Sequence, residues 1–212
     1  MQPFGTICCC GVRPSIHIAD EACSAWQVPP EAIRGNGAPA TDTHIIVGID
    51  PGVRHCGYAV LRSDETLDIA STWAPHAGLR GVERHLWLLG RLQDLLKRYK
   101  PGVLCYEEFT WRTSDDTQER YVTGRPAMER LIDGIQAMAI FPPYPVLMPL
   151  YPSHWGKQLV GSSAHTKADV ARIVNLRLGT HFRGDARDNH ACDAVGIALV
   201  GRDIMGLQRA ER

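Results

Sequence analysis

Three acidic residues of this chain occupy places where an ionised side chain is costly. Asp50 closes the apolar run 44–50 (HIIVGID) and, by strand alternation, shares a face with Ile46 and Gly48. Glu107 sits in the equally apolar run 103–109 (VLCYEEF). Alternation puts only one of Glu107 and Glu108 on a given face, and the pattern leaves open which. Asp193 falls with Ala194 and Ile197 on the core-facing stripe of a C-terminal helix, and His190, three residues earlier, shares that face. Buried carboxylates that converge repel one another and lose hydration, which costs several kcal/mol unless a cation compensates. A hard divalent ion is the economical compensation: Mg²⁺ takes oxygen ligands, and two ions about 3.5–4 Å apart can clamp the attacking and leaving oxygens of a phosphodiester. Each residue also has a plainer reading. Asp50 before Pro51-Gly52 can open a turn, Asp193 can complement a helix dipole, and an isolated His190 is commonly a satisfied half-buried histidine. Their spread over three elements that could converge favours a site.

Positioning these groups requires a sheet and a covering helix, and the pattern supplies both. Residues 44–50, 57–62 and 67–73 are separated by the turn signals Asp50-Pro51-Gly52 and Ser63-Asp64-Glu65-Thr66, which predicts three strands in a meander. Residues 82–99 predict a long helix with Val82, Leu86, Leu89 and Leu96 on one stripe and Lys97, Arg98 and Lys100 at its C-terminal end; Pro101-Gly102 should stop it. A fourth strand is expected over 103–109, a second amphipathic helix over 128–138 and a fifth strand over 146–151. Helices over 166–178 and 189–201 follow, the last capped by Asp188 or Asn189. The order β-β-β-α-β-α-β-α-α is that of one α/β domain, a mixed five-stranded sheet with three antiparallel strands and then parallel ones, flanked by helices.

Composition bounds the function. The 212 residues carry 23 basic and 23 acidic side chains, so an overall basic coat for nucleic acid is excluded and any such charge must be local. An apolar fraction of 44% supports one sizeable core. No apolar run approaches the ~20 residues of a membrane span, so no membrane partner is expected. Residues 1–42 show no sustained period, carry the linker-like Gly35-Asn36-Gly37-Ala38-Pro39-Ala40, and hold a charge of −2 against +2 for 43–212. They are expected to be a flexible extension ahead of a domain over 43–205, with 206–212 as a tail. Seven cysteines, including the run Cys8-Cys9-Cys10, come without a secretory signal, which points to reduced thiols and a cytoplasmic location. Cys8, Cys10, His17 and Cys23 match no common zinc spacing.

Taken in order, Gly48-Ile49-Asp50-Pro51-Gly52 with Gly57-Tyr58-Ala59-Val60, then Tyr106-Glu107-Glu108-Phe109, then Gly156-Lys157-Gln158-Leu159-Val160-Gly161 with Lys167 downstream, and finally residues 190–198 (HACDAVGIA) carry a resemblance. Over about residues 44–201 the chain resembles the RuvC-like Holliday junction resolvases of the ribonuclease H-like superfamily. The resemblance implies a homodimeric, Mg²⁺-dependent endonuclease that nicks two strands of like polarity in a four-way DNA junction, leaving 5′-phosphate and 3′-hydroxyl ends. It implies a metal site of Asp50, Glu107, His190 and Asp193. Lys157 and Lys167 match basic positions near the scissile phosphate, with catalysis and backbone binding both open as roles. Phe109 falls near an aromatic that wedges against bases. At the position of His190 many relatives have aspartate and others have histidine. An imidazole suits Mn²⁺ better than Mg²⁺, so cleavage is expected with both metals.

Further DNA contacts are expected from Trp111 and Arg112, in a stretch that mixes aromatics with arginine, where stacking is worth about 1–3 kcal/mol per base. The same stretch reads equally as an ordinary connection before the second helix. From Tyr151 onward the charge surplus is only +3, an ordinary solvated surface by itself. An actin-like or sugar-kinase ATPase would need a second lobe, and Gly156-Lys157 lacks the glycine spacing of a phosphate loop. Two rivals stay open: another ribonuclease H-like nuclease, transposase-like or RNA-processing, and a catalytically silent DNA-binding relative.

Overall fold

The structure, a computed structural model, describes residues 42–108, 118–140 and 145–206, all within the unit Pro39–Arg212. Residues 1–41, which are all but Asp42 of the expected extension 1–42, lie outside the described residues, as do Phe109, Trp111, Arg112 and residues 207–212 of the expected tail. The β-branched run that Asp50 closes forms β1 (Asp42–Asp50), at the centre of a five-stranded sheet. β2 (Cys56–Arg62) returns antiparallel to it and β3 (Leu67–Trp73) pairs antiparallel with β2. On the other side β4 (Pro101–Glu107) runs parallel to β1, and β5 (Val146–Leu150) parallel to β4, giving the order β3-β2-β1-β4-β5. Register sets Gly48 beside Cys105 and Ile49 beside Tyr106, so Asp50 and Glu107 end neighbouring strands at the same edge of the sheet.

Alternation sorts each strand into two cores. Ile45, Val47 and Ile49 of β1 and Leu104 and Tyr106 of β4 face α1 (Val82–Tyr99) and α2 (Gln118–Met138). Ile46 of β1 and Val103 and Cys105 of β4 face α3 (Pro152–Val160), α4 (Lys167–Leu178) and α5 (Asn189–Ile204). α5 lies between the sheet and the α3–α4 layer, and for that reason it is buried without interruption from Ala191 to Arg202.

Several expectations are corrected. α1 buries His85, Leu88, Leu92, Leu95 and Leu96, whereas Val82 and Leu86 are 60% and 64% exposed. At about 100° per residue the buried face is rotated roughly a quarter turn from the expected stripe. Pro101-Gly102 opens β4 rather than merely stopping α1. The helix is ended by Lys100, left-handed at φ 46°, whose N–H donates to the Leu96 carbonyl at 2.8 Å. β4 stops at Glu107 instead of reaching residue 109. The nine-residue α3 was not among the expected elements. Its signals are Pro152 at the first helical turn and Gly161 in the left-handed C-cap. On α2, Leu131, Ile132 and Ile135 are buried with Met138 packed beside them, so this face belongs to the core.

Two glycines let α5 lie directly on the strands. A Cβ on Gly48 would overlap the Ala194 carbonyl, and one on Gly57 would overlap the His190 carbonyl. Backbone cannot give way as a flexible side chain can. Gly57→Ala is therefore expected to cost about 2 kcal/mol or more, seen as a lower urea midpoint, and to lift His190 away from Asp50.

At the opposite end of the sheet, Arg202 (5% exposed) donates to the Ser63 carbonyl at 2.6 Å and pairs with Glu65 at 3.0 Å, while Arg177 pairs with Glu65 at 2.6 Å and Asp203 at 2.8 Å. These contacts tie the β2–β3 turn to the ends of α4 and α5. Two of the arginines in the basic surplus after Tyr151 are thereby engaged within the fold. Among the described residues no helix is long and apolar enough to cross a membrane.

Candidate active site

Asp50, Glu107, His190 and Asp193 come together where β1 and β4 end beneath the start of α5. Asp50 is 8% and Asp193 3% exposed; Glu107 and His190 are half-buried at the rim. Each carboxylate has a donor from a different element. His190 Nδ1 lies 2.6 Å from Asp50 Oδ2, Trp155 Nε1 donates to Glu107 Oε2 at 2.7 Å, and the Lys167 ammonium is bonded to Asp193 Oδ2. The His55 ring, from the β1–β2 turn, stacks on His190 with centroids 5.7 Å apart and planes 14° from parallel. The alternation left open in β4 resolves to Glu107. Val103 and Cys105 commit to the α5 face, so Glu107 joins them, and Glu108 instead interacts with Tyr106.

Local sequence explains these positions. Lys167 is held at the first turn of α4 by a capping box, in which Asp169 N–H donates to Thr166 Oγ1 and Thr166 N–H to Asp169 Oδ2. Asp188 is the N-cap residue of α5, but its carboxylate accepts N–H bonds from Arg183 and Gly184 instead of capping the helix. That contact anchors the turn entering α5 and so sets the angle at which His190 and Asp193 face the sheet.

Burial, and then the charge of Asp50, push the Glu107 carboxyl up to about 7, against the downward pull of the Trp155 hydrogen bond and Lys167. Burial also raises Asp193, by more than Lys167 lowers it. The hydrogen bond to Asp50 raises His190. For Lys167, lost hydration pulls down, but Asp193, Asp50 and Glu107 together outweigh it and the net shift is upward. Burial pushes the thiols of Cys56, Cys105 and Cys192 up to about 12, so none of them offers a thiolate nucleophile.

In its chemistry the donor set fits a hard divalent cation: three oxygen acids lie where β1 and β4 end beneath α5, and Glu107 and Asp193 are held above their ordinary range by burial and mutual repulsion. Among the described residues no three His, Cys, Asp or Glu side chains stand close enough to enclose an ion. The carboxylates are matched instead to His190, Trp155 and Lys167. In this arrangement protein donors hold the places that a cation would compete for.

Of the two expected lysines, only Lys167 reaches the cluster. Lys157 lies on the exposed side of α3, opposite the buried Trp155 and Leu159, and no hydrogen bond or ion pair joins it to the four site residues. Trp155 and His55 were not anticipated. The signal for Trp155 was its spacing of four from Leu159, which marks one face of a short helix; His55 carried no signal beyond following the Asp50 turn.

A mixed sheet in this order, with acids ending two adjacent central strands and a third on the covering helix, defines a ribonuclease H-like fold with a candidate phosphodiester-cleaving site. Residues 46–201 match the model of the family Crossover junction endodeoxyribonuclease RuvC, and the chain belongs to that family. It is 27% identical over 166 residues to the RuvC protein of Prochlorococcus marinus strain SARG, an alignment covering 74% of this chain and 97% of the relative. It is 27% identical over 181 residues to that of Cereibacter sphaeroides, covering 79% and 99%. Among solved structures, RuvC of T. thermophilus in complex with a Holliday junction substrate is similar in fold, with a TM-score of 0.62 and 22% identity over 77% of this chain and 97% of that one. A yeast mitochondrial Holliday junction resolvase has a TM-score of 0.50 at 16% identity, covering 80% and 82%.

Proposed function

We propose that this chain resolves four-way DNA junctions as a homodimer, cutting two strands symmetrically in a reaction that requires divalent metal and leaves 5′-phosphate and 3′-hydroxyl ends. The observation that carries the reading is the meeting of Asp50, Glu107, His190 and Asp193 at the shared edge of β1 and β4. Residues 43–205 are the catalytic domain in this reading, preceded by an extension and followed by a short tail. Mg²⁺, as two ions, would be held by Asp50, Glu107 and Asp193 with His190. When bound, it supplies charge neutralisation and Lewis acidity for attack of water on phosphorus.

The chain's own residues do the rest. The carboxylates fix where the cations sit. Lys167, more than half exposed at 56%, can turn from Asp193 to the phosphate and stabilise developing negative charge. Lys157, facing outward, holds DNA backbone. Lys167→Met is therefore expected to lower the single-turnover rate about 10²-fold with little change in junction affinity. Lys157→Ala should leave that rate alone and reduce the salt dependence of binding by about one charge. Equal effects of the two substitutions on rate would remove this division of labour.

All site carboxylates are present, which favours an active enzyme over a silent DNA-binding relative. The reading is tested by the ends it leaves. Nicked junction strands should be sealed by a ligase without prior phosphorylation, and Mn²⁺ should support cleavage as Mg²⁺ does. Unligatable ends would overturn the proposed chemistry, and cleavage with Mg²⁺ but none with Mn²⁺ would remove His190 from the ligand set.

A further inference from the structure

We propose that Trp155 is a positioning residue of the metal site, its indole N–H fixing one oxygen of Glu107 so that the other is presented to the ion. This rests on reading Asp50, Glu107, His190 and Asp193 as metal ligands. A glutamate reaches its target through several rotatable bonds, and a ligand of that kind binds well only when an outer partner fixes its orientation. Trp155 is 3% exposed, and its Nε1–H donates to Glu107 Oε2 at 2.7 Å, across from α3 to the last residue of β4. Among the described residues it is the one donor to that carboxylate, and the other oxygen is not committed.

The indole is itself held in a slot made by missing side chains. A Cβ on Gly196, inside α5, would come within 3.0 Å of Trp155 Cζ3 and 2.9 Å of Leu159 Cδ2. Gly156, inside α3, leaves room for the His165 ring, which lies 6.4 Å from the indole at a tilt of 55°. Glycine inside a helix costs about 1 kcal/mol relative to alanine. Two helices thus give up stability at the places where a methyl group would displace the indole or the ring beside it. A buried indole N–H needs some acceptor in any core. What sets this one apart is that the acceptor is a half-buried acid at the rim of the candidate site.

Trp155→Phe keeps most of the volume and removes the donor. Calorimetric titration of the full chain with Mn²⁺ alone should show affinity about tenfold weaker or more in the variant, with junction affinity in EDTA unchanged. Gly196→Ala alters no polar group and should weaken Mn²⁺ binding in the same direction by pressing on the indole. In the parent protein, the Trp155 indole N–H resonance, assigned through its contacts with Leu159, should move on addition of Mg²⁺. Mn²⁺ affinity in Trp155→Phe equal to or tighter than that of the parent overturns the proposal and leaves the metal-site reading standing. Absence of Mn²⁺ binding by the parent itself overturns that reading and the proposal with it. Should Trp155→Phe fail to fold, the resonance decides: a signal unmoved by saturating Mg²⁺ overturns the proposal.

Discussion

Asp193→Asn is expected to lower strand cleavage by on the order of 10³-fold or more while junction binding persists. Asp193 is the carboxylate of the cluster carried on a helix, 3% exposed and bonded to Lys167. Asparagine keeps its shape and one oxygen but removes the charge that a cation needs. The fold should survive. Lys167 is exposed enough to turn its ammonium to water, and burial already disfavours the ionised form of Asp193, so a neutral side chain there relieves desolvation. If the site faces DNA as proposed, removing its negative charge should leave junction affinity equal or higher. Single-turnover cleavage and a gel shift without catalytic metal separate the two effects. Cleavage within about tenfold of the parent would remove Asp193 from the reaction.

In the absence of divalent ions, stability should fall as the pH rises from about 5 to about 8. Glu107 is held near 7, first by burial and then by the charge of Asp50, against 4.5 for an ordinary glutamate. The folded protein therefore keeps a proton that the unfolded chain releases. This contribution is fully present below about pH 4.5 and is lost as the pH climbs through 7. It amounts to about 3 kcal/mol, or roughly 6–12 °C in melting temperature for a chain of this size. His190, raised chiefly by its hydrogen bond to Asp50, acts in the same direction, its contribution being lost as the pH rises through its folded value. So does Asp193, raised chiefly by burial. A divalent ion stabilises the ionised carboxylates and should flatten or reverse the slope. Glu107→Gln, with no proton to lose, should melt higher than the parent at pH 8 in EDTA and show a shallower slope. A melting temperature that rises across this range in EDTA, or a slope that Glu107→Gln leaves unchanged, would contradict the arrangement of charges described above.

The positions of Asp50 and Asp193 are legible in the sequence because an acid that closes an apolar strand, or lies on a core-facing helical stripe, violates a period that apolar neighbours define. The choice between Glu107 and Glu108 is not legible. Alternation is relative, and the choice is settled only when Val103 and Cys105 pack beneath α5. The long α1 is legible as a helix but not in its facing, since its leucines fill more than one face and the sheet selects Leu88, Leu92 and Leu95 over Val82 and Leu86. The glycines at 48, 57 and 196 read as ordinary strand or helix residues until α5 is laid on the sheet, where a methyl group at each would meet backbone or the indole. Trp155 is hidden for a related reason. Its partner is 48 residues away, and nothing local distinguishes an indole aimed at a carboxylate from one that fills a core.

The central claim is tested most directly by cleavage of a synthetic four-way junction set beside a linear duplex and an RNA–DNA hybrid of matching sequence, in Mg²⁺, with Asp193→Asn as the control. Paired nicks at symmetric positions in the junction alone, absent from the variant, are expected. Equal cutting of all three substrates, or cutting that survives Asp193→Asn, would contradict it.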